Sequence, residues 1–439
     1  MKSAMKFYAF CACALALSAC GVPSGPLVSS DSLSLSQSHP PFTQLPQLTA
    51  GPTGPALLWV TTQLDLDSNE VHALRWARWS PDSERWVDTV EIASGADWMV
   101  NWADRPSLAF ADSAHAWAHW LAFDPRAEEG EFAYGVRAVR SMDSGRTWSE
   151  PSTPHRDTAV AEHGFGRWLP QSDGATLVWL DGRDFDGHLD PSRARMEVRA
   201  ANWPAGEDWS AERVLDSSAC TCCPLSDAPW RGGHVVAFRD RDFSPTGVET
   251  RDFSLVFQSG LSDEGKADWS APTPLSPDGW ELSGCPVNGA AMAANQERML
   301  AVWFTAADDS ARVMASHSSD GRRFSQARQL NLLGRAVGRV TSCTDGRGWF
   351  YAVWLEAIKG GTAMMGAQWS PAGQLQGEPR ELIASSSQRT AGFPTMTGLD
   401  NGALIAWTVP GDRNADASTS AAAAPHIQTA VWQPNLGER

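Results

Sequence analysis

Short apolar runs recur along most of the chain, and no long stretch has the 3.6-residue period of an amphipathic helix. Seven of these runs are strongly apolar, lie near tryptophans and predict buried strands: Leu57–Val60, Trp117–Phe123, Ala175–Leu180, His234–Phe238, Met299–Phe304, Trp349–Leu355 and Ala403–Val409. They repeat roughly every 58 residues, a period typical of the blades of a β-propeller.

Each apolar run is followed, across turn residues, by a second strand with outward charge. The seven second strands are His72–Trp79, Ala133–Arg140, Met196–Trp203, Phe253–Gln258, Arg312–His317, Ala363–Trp369 and His426–Trp432. Seven strand pairs predict an all-β fold, a β-propeller of seven four-stranded blades. The alternative is a six-bladed ring with the first or last pair as an appendage.

The start of the chain has the layout of a secretory signal. Lys2 and Lys6 precede an apolar run too short to span a bilayer, and Leu17-Ser18-Ala19-Cys20 resembles a bacterial lipobox. We therefore expect a signal peptide over 1–19, a lipidated Cys20 with a Ser/Pro-rich tether over 20–44, and a single propeller over 45–439. The resemblance implies a cell-envelope lipoprotein, with Gly21 favouring the outer membrane and with membrane contact through the lipid anchor only.

The Ser/Leu alternation over 32–36 allows a second interpretation of part of the tether. The last strand pair ends near Trp432, which leaves too few residues for an outer strand in the final blade. If 32–36 supplied that strand, it would close the ring and remove an unpaired edge.

Charge and cysteine content narrow the partners. The formal net charge of −16 makes nucleic acid an unfavourable partner, and we expect a monomer without a cofactor. Five cysteines remain after Cys20: Cys220, Cys222, Cys223, Cys285 and Cys343.

The five cysteines allow either disulfides or a metal site. Thiolate-rich groups favour copper(I) or zinc, whereas an oxidising compartment favours disulfides, which we expect here. The favoured bridge joins Cys220 or Cys222 to Cys285, because their segments belong to successive blades. Cys343, in an inner strand, is expected to be a buried thiol or part of a second bridge.

Unusual polar residues gather in two sets of loops. In blades with strands A to D from the channel outward, the D-to-A and B-to-C connections share one face. Functional residues concentrate on loops, so this face is the predicted site. The predicted acid/base residues are Asp240, Asp181, Glu162 and His163. The predicted substrate-binding residues are Arg183, Arg239, Arg241, Arg251, Asn288, Arg339 and Trp280. Each charged pair also has a structural interpretation, as an ion pair that holds a loop.

The turn Ser141–Trp148 matches the Asp-box, Ser-x-Asp-x-Gly-x-Thr-Trp, and the chain therefore resembles the sialidase superfamily. Partial copies keep the spacing in other units, with Gly206 and Trp209 and with Gly321 and Phe324. A further partial copy, with Asp263 and Trp269, has one insertion. The resemblance covers nearly all of 45–435 and implies a propeller with exo-sialidase-type glycoside hydrolase chemistry.

The resemblance to sialidases is incomplete at the site. It implies three arginines on the sugar carboxylate, an aspartic acid/base, and a tyrosine activated by a glutamate. The family's Arg-Ile-Pro motif is missing near the first strand, and Arg105-Pro106 is only a partial match, in the second unit. Only Tyr134 and Tyr351 follow the signal, and Tyr134 with Glu131 is the conceivable nucleophile pair.

Three functions follow from the sequence. The first is a protein that recognises and hydrolyses or cleaves anionic glycans through an Arg-lined channel mouth. The second is a non-catalytic propeller that binds a glycan or a protein. The third is a metal-binding protein whose ligands are Cys220, Cys222, Cys223 and Cys285.

Overall fold

The computed structural model describes residues 32–128, 132–185, 194–260, 268–331, 335–411 and 424–433. They form a β-propeller of seven blades, each a sheet of antiparallel strands running from the channel outward. Blade 1 contains β2 (Thr43–Gly51), β3 (Gly54–Leu64), β4 (Glu70–Ser80) and β5 (Arg85–Gly95). Blade 2 contains β6 (Ser107–Phe110), β7 (Ala116–Phe123) and β8 (Tyr134–Ser141), with a single bridge from Ala138 to Ser152 in the outer position. Blade 3 contains β9 (His163–Gln171), β10 (Gly174–Asp181), β11 (Met196–Pro204) and β12 (Arg213–Ala219).

Blade 4 carries an additional hairpin between its second and third strands. Its blade strands are β13 (Ser226–Trp230), β14 (Gly233–Arg239), β17 (Phe253–Gln258) and β18 (Thr273–Ser276), and the hairpin is β15 (Asp242–Phe243) with β16 (Glu249–Thr250). Blade 5 contains β19 (Ala291–Ala294), β20 (Met299–Thr305), β21 (Arg312–Ser318) and β22 (Arg328–Gln329). Blade 6 contains β23 (Arg335–Thr344), β24 (Phe350–Ile358), β25 (Gly361–Trp369) and β26 (Arg380–Ser385). Two 3₁₀ turns, Ala307–Asp309 and Arg389–Ala391, lie in the connections.

Blade 7 is completed by the beginning of the described chain. Its strands are β27 (Thr395–Gly398), β28 (Ala403–Val409), β29 (His426–Gln433) and, outermost, β1 (Ser32–Ser38). β1 pairs antiparallel with β29, placing Leu33 opposite Trp432. The Ser/Leu alternation therefore forms the closing strand, and residues 32–38 belong to the ring rather than to a tether. The predicted signal peptide, Cys20 and the rest of 20–31 lie outside the described residues.

The predicted strand pairs are the second and third strands of the seven blades. Because a second strand is covered by blades on both sides, nearly all of its residues are buried, as in β10 and β20. Trp117, Trp179, Trp303 and Trp354 occupy this position in blades 2, 3, 5 and 6 and are fully buried. The tryptophans at these positions therefore form the core between blades, and burial of their large apolar surface stabilises the ring.

The turn Ser141–Trp148 has the local contacts expected from its sequence. Asp143 accepts hydrogen bonds from the backbone N–H groups of Arg146 and Thr147, and Gly145 has a φ of 79°. The Trp148 indole donates to the Gly145 carbonyl at 3.1 Å. The carboxylate replaces backbone partners that the tight turn cannot supply, while glycine accommodates the left-handed conformation.

The central channel contains a cavity between the inner strands. A cavity of about 1030 Å³ is lined by inner strands of all seven blades and reaches the A-to-B turns at Gly54 and Asn401. At the other end, apolar side chains from the D-to-A segments and from the start of β9 pack together, including Trp102, Phe393 and Phe165. We call this group the plug. It lies at the face where the sequence predicted the functional site.

Candidate functional site

The two predicted loop sets converge on the plugged face. The Gly182 amide donates to the Glu162 carbonyl at 2.8 Å, and the Cys220 amide donates to the Arg239 carbonyl at 2.9 Å. Each bond joins a D-to-A segment to a B-to-C connection, so the predicted phasing of the blades is correct. These bonds hold the candidate side chains in fixed positions around the plug.

Three of the predicted site residues belong to a salt-bridge cluster of Asp157, His163, Asp181, Arg183 and Glu212. Arg183 donates to Asp181 through Nε and Nη2, each at 2.7 Å, and to Glu212 at 2.6 Å. His163 lies 3.1 Å from Asp157. Burial opposes ionisation of Asp181, but the hydrogen bonds from Arg183 and the charge of His163 hold the pKa of Asp181 below its usual value.

The salt-bridge cluster corrects the expected roles of its members. Asp181 is fully buried and also accepts the Trp179 indole N–H at 2.8 Å. Arg183 is shared between the carboxylates of Asp181, Asp157 and Glu212. A ligand anion would have to displace these carboxylates, so the cluster is built to hold the loops of blade 3 and not to grip a substrate.

Most of the predicted substrate-binding arginines are bonded to the chain itself. Arg239 is 2% exposed and donates to the carbonyls of Asn288, Arg251 and Phe304. Its guanidinium also lies over the Phe253 ring at 3.9 Å. Because every nitrogen of Arg239 has a backbone acceptor, its guanidinium ties blade 4 to blade 5.

Arg241 and Arg339 are engaged in the same way. Arg241 donates to Glu249 at 2.8 Å and to the Ala194 carbonyl at 2.7 Å. Arg339 donates to the carbonyls of Gln388 and Gly392 and lies 4.8 Å above the Trp102 ring in the plug. The acceptors that Arg241 and Arg339 bind are internal, so the substrate-binding role of these side chains stays a prediction.

Asn288 and Trp280 also have structural partners. Asn288 donates to the Val337 carbonyl and accepts the Arg339 amide at 2.7 Å. Trp280 is 7% exposed and packs edge-on against Phe304, with Arg239 over its ring. A buried indole cannot stack on a sugar from solvent, so the predicted stacking role of Trp280 is not available in this arrangement.

Asp240 lies between blades 3 and 4. It accepts the Ser254 hydroxyl at 2.7 Å and the Arg241 amide at 2.8 Å. Burial and the nearby Asp216 raise the pKa of Asp240 to about 7. Its protonation near neutral pH suits an acid, but its partners place it between two blades.

A second group of acidic residues, which we call the tyrosine cluster, consists of Asp104, Tyr134 and Glu162. The Tyr134 hydroxyl lies 3.1 Å from Asp104 and also contacts Glu162. Asp104 and Tyr134 are buried, at 1% and 2% exposure, whereas Glu162 is half-buried. Burial raises the pKa of Asp104 to about 7 against the hydrogen bonds from Phe165 and Tyr134. Burial and Cys285 raise the pKa of Glu162 to about 7.

The thiol cluster consists of Cys220, Cys222, Cys223 and Cys285, with Arg251 beside it. The Cys220 sulfur lies 3.8 Å from that of Cys222 and 3.5 Å from that of Cys223. Cys220 and Cys223 are each 1% exposed, Cys222 is half-buried and Cys285 is exposed. The sulfurs of Cys220, Cys222 and Cys223 all lie within 4.8 Å of one another.

Arg251 differs from the other predicted arginines. It is 4% exposed and pairs with Glu249 through Nη2, while its Nε and Nη1 donors have no hydrogen-bond partner among the described residues. Glu249 also accepts from Arg241, so two guanidinium groups share one carboxylate. Hydrogen bonds with Cys222 and Cys223, together with the charge of Arg251, hold the pKa of Cys220 below its usual value.

The predicted disulfides are absent among the described residues. All five cysteines from Cys220 to Cys343 are free thiols, and the sulfur separations at Cys220 greatly exceed a covalent S–S bond of about 2.05 Å. Cys343 is a free thiol of β23 and is half-buried, whereas the sequence predicted a buried thiol or a second bridge. The predicted disulfide from Cys220 or Cys222 to Cys285 is therefore not formed.

A second grouping with metal-ligand chemistry is formed by His155, Asp157 and His163. The two imidazole rings stack with centroids 4.0 Å apart, and Asp157 is already paired with Arg183 at 3.1 Å. A cation placed here would meet the Arg183 charge directly, so these residues fit the salt-bridge cluster better than a metal site.

Some residues of the site were missed from the sequence. Glu249 is the acceptor for Arg241 and Arg251, and its spacing of two from Arg251 in an extended segment was the available signal. Tyr134 is present, but its partners are Asp104 and Glu162, while Glu131 lies outside the described residues. Trp102 and Phe393 form a stacked pair in the plug. Aromatic residues in D-to-A segments were the signal for that pair.

Comparisons with known proteins identify the fold but no family. No family model and no curated protein matches the chain. A solved structure of the polysaccharide lyase Uly1 matches with a TM-score of 0.50 and 9% identity, over 88% of this chain and 89% of that one. The α-L-arabinofuranosidase Arb93A of Fusarium graminearum matches with a TM-score of 0.46 and 11% identity, over 81% and 98%. The six-bladed lectin of Aleuria aurantia matches with a TM-score of 0.41 and 9% identity, over 71% and 89%. At these identities, what the chain shares with these proteins is a β-propeller fold.

Proposed function

We propose that this protein is an envelope-anchored propeller that acts on glycans, with Glu162 as its proton donor and acceptor. The observation that carries the proposal is the tyrosine cluster, in which Tyr134 contacts two carboxyl groups and only Glu162 is open to solvent. A carboxyl group held protonated near neutral pH suits acid/base attack on a glycosidic bond.

The parts of the tyrosine cluster have different tasks in this proposal. Glu162 meets the substrate, since Asp104 and Tyr134 are covered. Asp104 is fixed by the Phe165 amide at 2.7 Å and holds the Tyr134 hydroxyl, which in turn orients Glu162. Asp104 and Tyr134 are thus positioning residues, and they allow a proton to pass along the carboxyl–hydroxyl–carboxyl chain.

The finer parts of the proposal come from the sequence. The lipobox-like Leu17–Cys20 segment supports anchoring at the outer membrane of the cell envelope. The similarity to sialidases supports an anionic glycan as substrate, and a single protein chain as the active unit. The likeness in fold to a polysaccharide lyase supports a polysaccharide as substrate, without bearing on its charge. An acid/base carboxyl group can serve either hydrolysis or elimination, and identification of the products distinguishes the two reactions.

The proposal is tested by incubating the full chain with sialylated, uronic-acid, sulfated and neutral arabinan glycans, while release and binding are measured together. Glu162→Gln should lower the release rate by at least about 100-fold, which is the contribution typical of a general acid or base. The matched control is Glu91→Gln, because Glu91 is an exposed blade 1 residue paired with Arg75. Equal loss in both variants, or full activity in Glu162→Gln, would contradict the role of Glu162.

A second candidate function is glycan binding without cleavage in the central channel. The specific observation is the channel cavity of about 1030 Å³, which holds the Arg167–Asp227 pair and His234. The same assay separates the two functions, because binding without release from any glycan would favour the channel.

A further inference from the structure

The loop that precedes the first strand of blade 4 brings three thiols together without bonding them. The backbone of Cys220 is fixed by the hydrogen bond from its N–H to the Arg239 carbonyl, and neighbouring Ala219 forms a β-bridge with Asp240. Pro224 follows Cys223 and limits the backbone at the other end of the loop. The cluster is therefore held by backbone contacts that do not depend on the thiols themselves.

The sulfur separations fit a shared metal ion. With a metal–sulfur bond of about 2.3 Å, thiolates around one ion lie roughly 3.8 Å apart in a tetrahedron and about 4.0 Å apart in a trigonal plane. The Cys220 sulfur lies 3.8 Å from Cys222 and 3.5 Å from Cys223. Small shifts of these side chains would bring all three sulfurs to one ion.

The surrounding charge fits an anionic metal complex. Arg251 is buried, and its Nε and Nη1 donors lack partners, although burying such donors is costly. Arg241 and Arg251 share the single carboxylate of Glu249, which leaves one positive charge beside the thiols. That positive charge would stabilise a negatively charged metal complex at Cys220.

We infer that Cys220, Cys222 and Cys223 bind one copper(I) ion as three thiolates, with Arg251 as the counter-charge. Three sulfur ligands without nitrogen or oxygen select a soft ion, and copper(I) accepts three-fold coordination, whereas structural zinc closes a shell of four. Copper enters as copper(I), three thiols release three protons, and three copper–sulfur bonds form. No electron is transferred, and the resulting complex has a net charge of two minus.

Cys285 gives the ion a route from solvent. It is exposed, its thiol contacts Cys222, and Thr221 lies 3.5 Å from its sulfur. We assign Cys285 the role of an exchange residue that hands copper(I) to the buried set or receives it from a donor. This site does not depend on the proposed glycan activity, because Glu162 and Tyr134 supply none of its ligands.

The test uses the full chain, reduced and loaded with copper(I) without oxygen against bicinchoninate as the competitor. One copper ion per chain is expected, with three sulfur neighbours at about 2.25 Å by X-ray absorption. Cys223→Ser removes a ligand and should weaken binding by at least about 100-fold, the upper end of the loss typical of groups outside the ligand set. Cys285→Ser should slow loading and weaken binding less than Cys223→Ser does. Cys343→Ser is the matched control, since this thiol lies in β23 outside the cluster.

Thiol alkylation followed by peptide mass spectrometry keeps the inference testable if Cys223→Ser fails to fold. Copper-loaded wild-type protein should protect Cys220, Cys222 and Cys223 and leave Cys285 reactive. Arg251→Met should weaken copper(I) by about 10-fold, as loss of a neighbouring group around a metal site commonly does. Unchanged affinity in Cys223→Ser, a four-sulfur zinc site in place of copper, or a native disulfide with no copper uptake after reduction would overturn the assignment. Copper binding without glycan release would leave this inference standing and remove the proposed function.

Discussion

The salt-bridge cluster of blade 3 and the thiol cluster of blade 4 lie on the same face and have similar sequence signals. Asp181-Gly182-Arg183-Asp184 precedes one loop and Arg239-Asp240-Arg241-Asp242 precedes the other. In the salt-bridge cluster of blade 3, all three carboxylates pair with Arg183. In blade 4, Arg251 keeps two donors without partners beside three thiols. Complete pairing identifies a region that holds the fold, and incomplete pairing identifies a region prepared for a ligand.

The largest effect should come from breaking the complete pairing. Asp181→Ala removes the acceptor of the Trp179 indole and of two Arg183 nitrogens in a fully buried position. Loss of one partner from a buried pair typically lowers the free energy of unfolding by about 3–5 kcal/mol. Urea unfolding followed by tryptophan fluorescence measures the change.

The control for Asp181→Ala is Glu91→Ala in blade 1. Glu91 pairs with Arg75, but its side chain is 45% exposed, so its loss should cost no more than about 1 kcal/mol. Similar costs for the two substitutions would show that the salt-bridge cluster is no more than a surface network, and the contrast between the two blades would fail.

An intermediate effect should separate two neighbouring arginines of blade 4. Arg239→Met leaves the buried carbonyls of Asn288, Arg251 and Phe304 without a donor, which should lower the free energy of unfolding by about 3 kcal/mol. Arg251→Met removes a charge with two unpartnered donors, and Glu249 keeps Arg241. We expect a change within about 1 kcal/mol for Arg251→Met. Urea unfolding midpoints of the two variants, measured side by side, test this order. A larger loss of stability in Arg251→Met than in Arg239→Met would show that Arg251 is the structural residue.

The sequence predicts the strands better than it predicts the hydrogen-bond partners of the site side chains. The second and third strands of every blade follow from local apolar periodicity, and β17 matches its predicted range Phe253–Gln258. The outer strand β22 has two residues, and the β15–β16 hairpin is equally short, so neither has a periodic signal. The donors of Arg239 reach carbonyls 49 and 65 positions away in sequence. Such contacts depend on the assembled ring, and no local pattern encodes them.

The last comparison concerns how the stability contributed by two buried aspartates with opposite surroundings depends on pH. Burial raises the pKa of Asp104 from 3.8 to about 7, whereas Arg183 holds that of Asp181 below its usual value. Between about pH 4 and pH 7, folded Asp104 keeps a proton that the unfolded chain releases, so its contribution to stability falls as the pH rises through this window. Asp181 contributes in the other direction, because its stabilisation is lost as the pH falls through its lowered pKa.

Asp104→Asn should therefore flatten the decline of the unfolding free energy from about pH 4 to pH 7 by up to roughly 1.4 kcal/mol per pH unit. Glu162 and Asp240, whose pKa values are also raised to about 7, should leave a residual slope. Parallel curves for Asp104→Asn and the wild type would mean that Asp104 is ionised in the folded protein and does not take part in a proton chain with Tyr134 and Glu162.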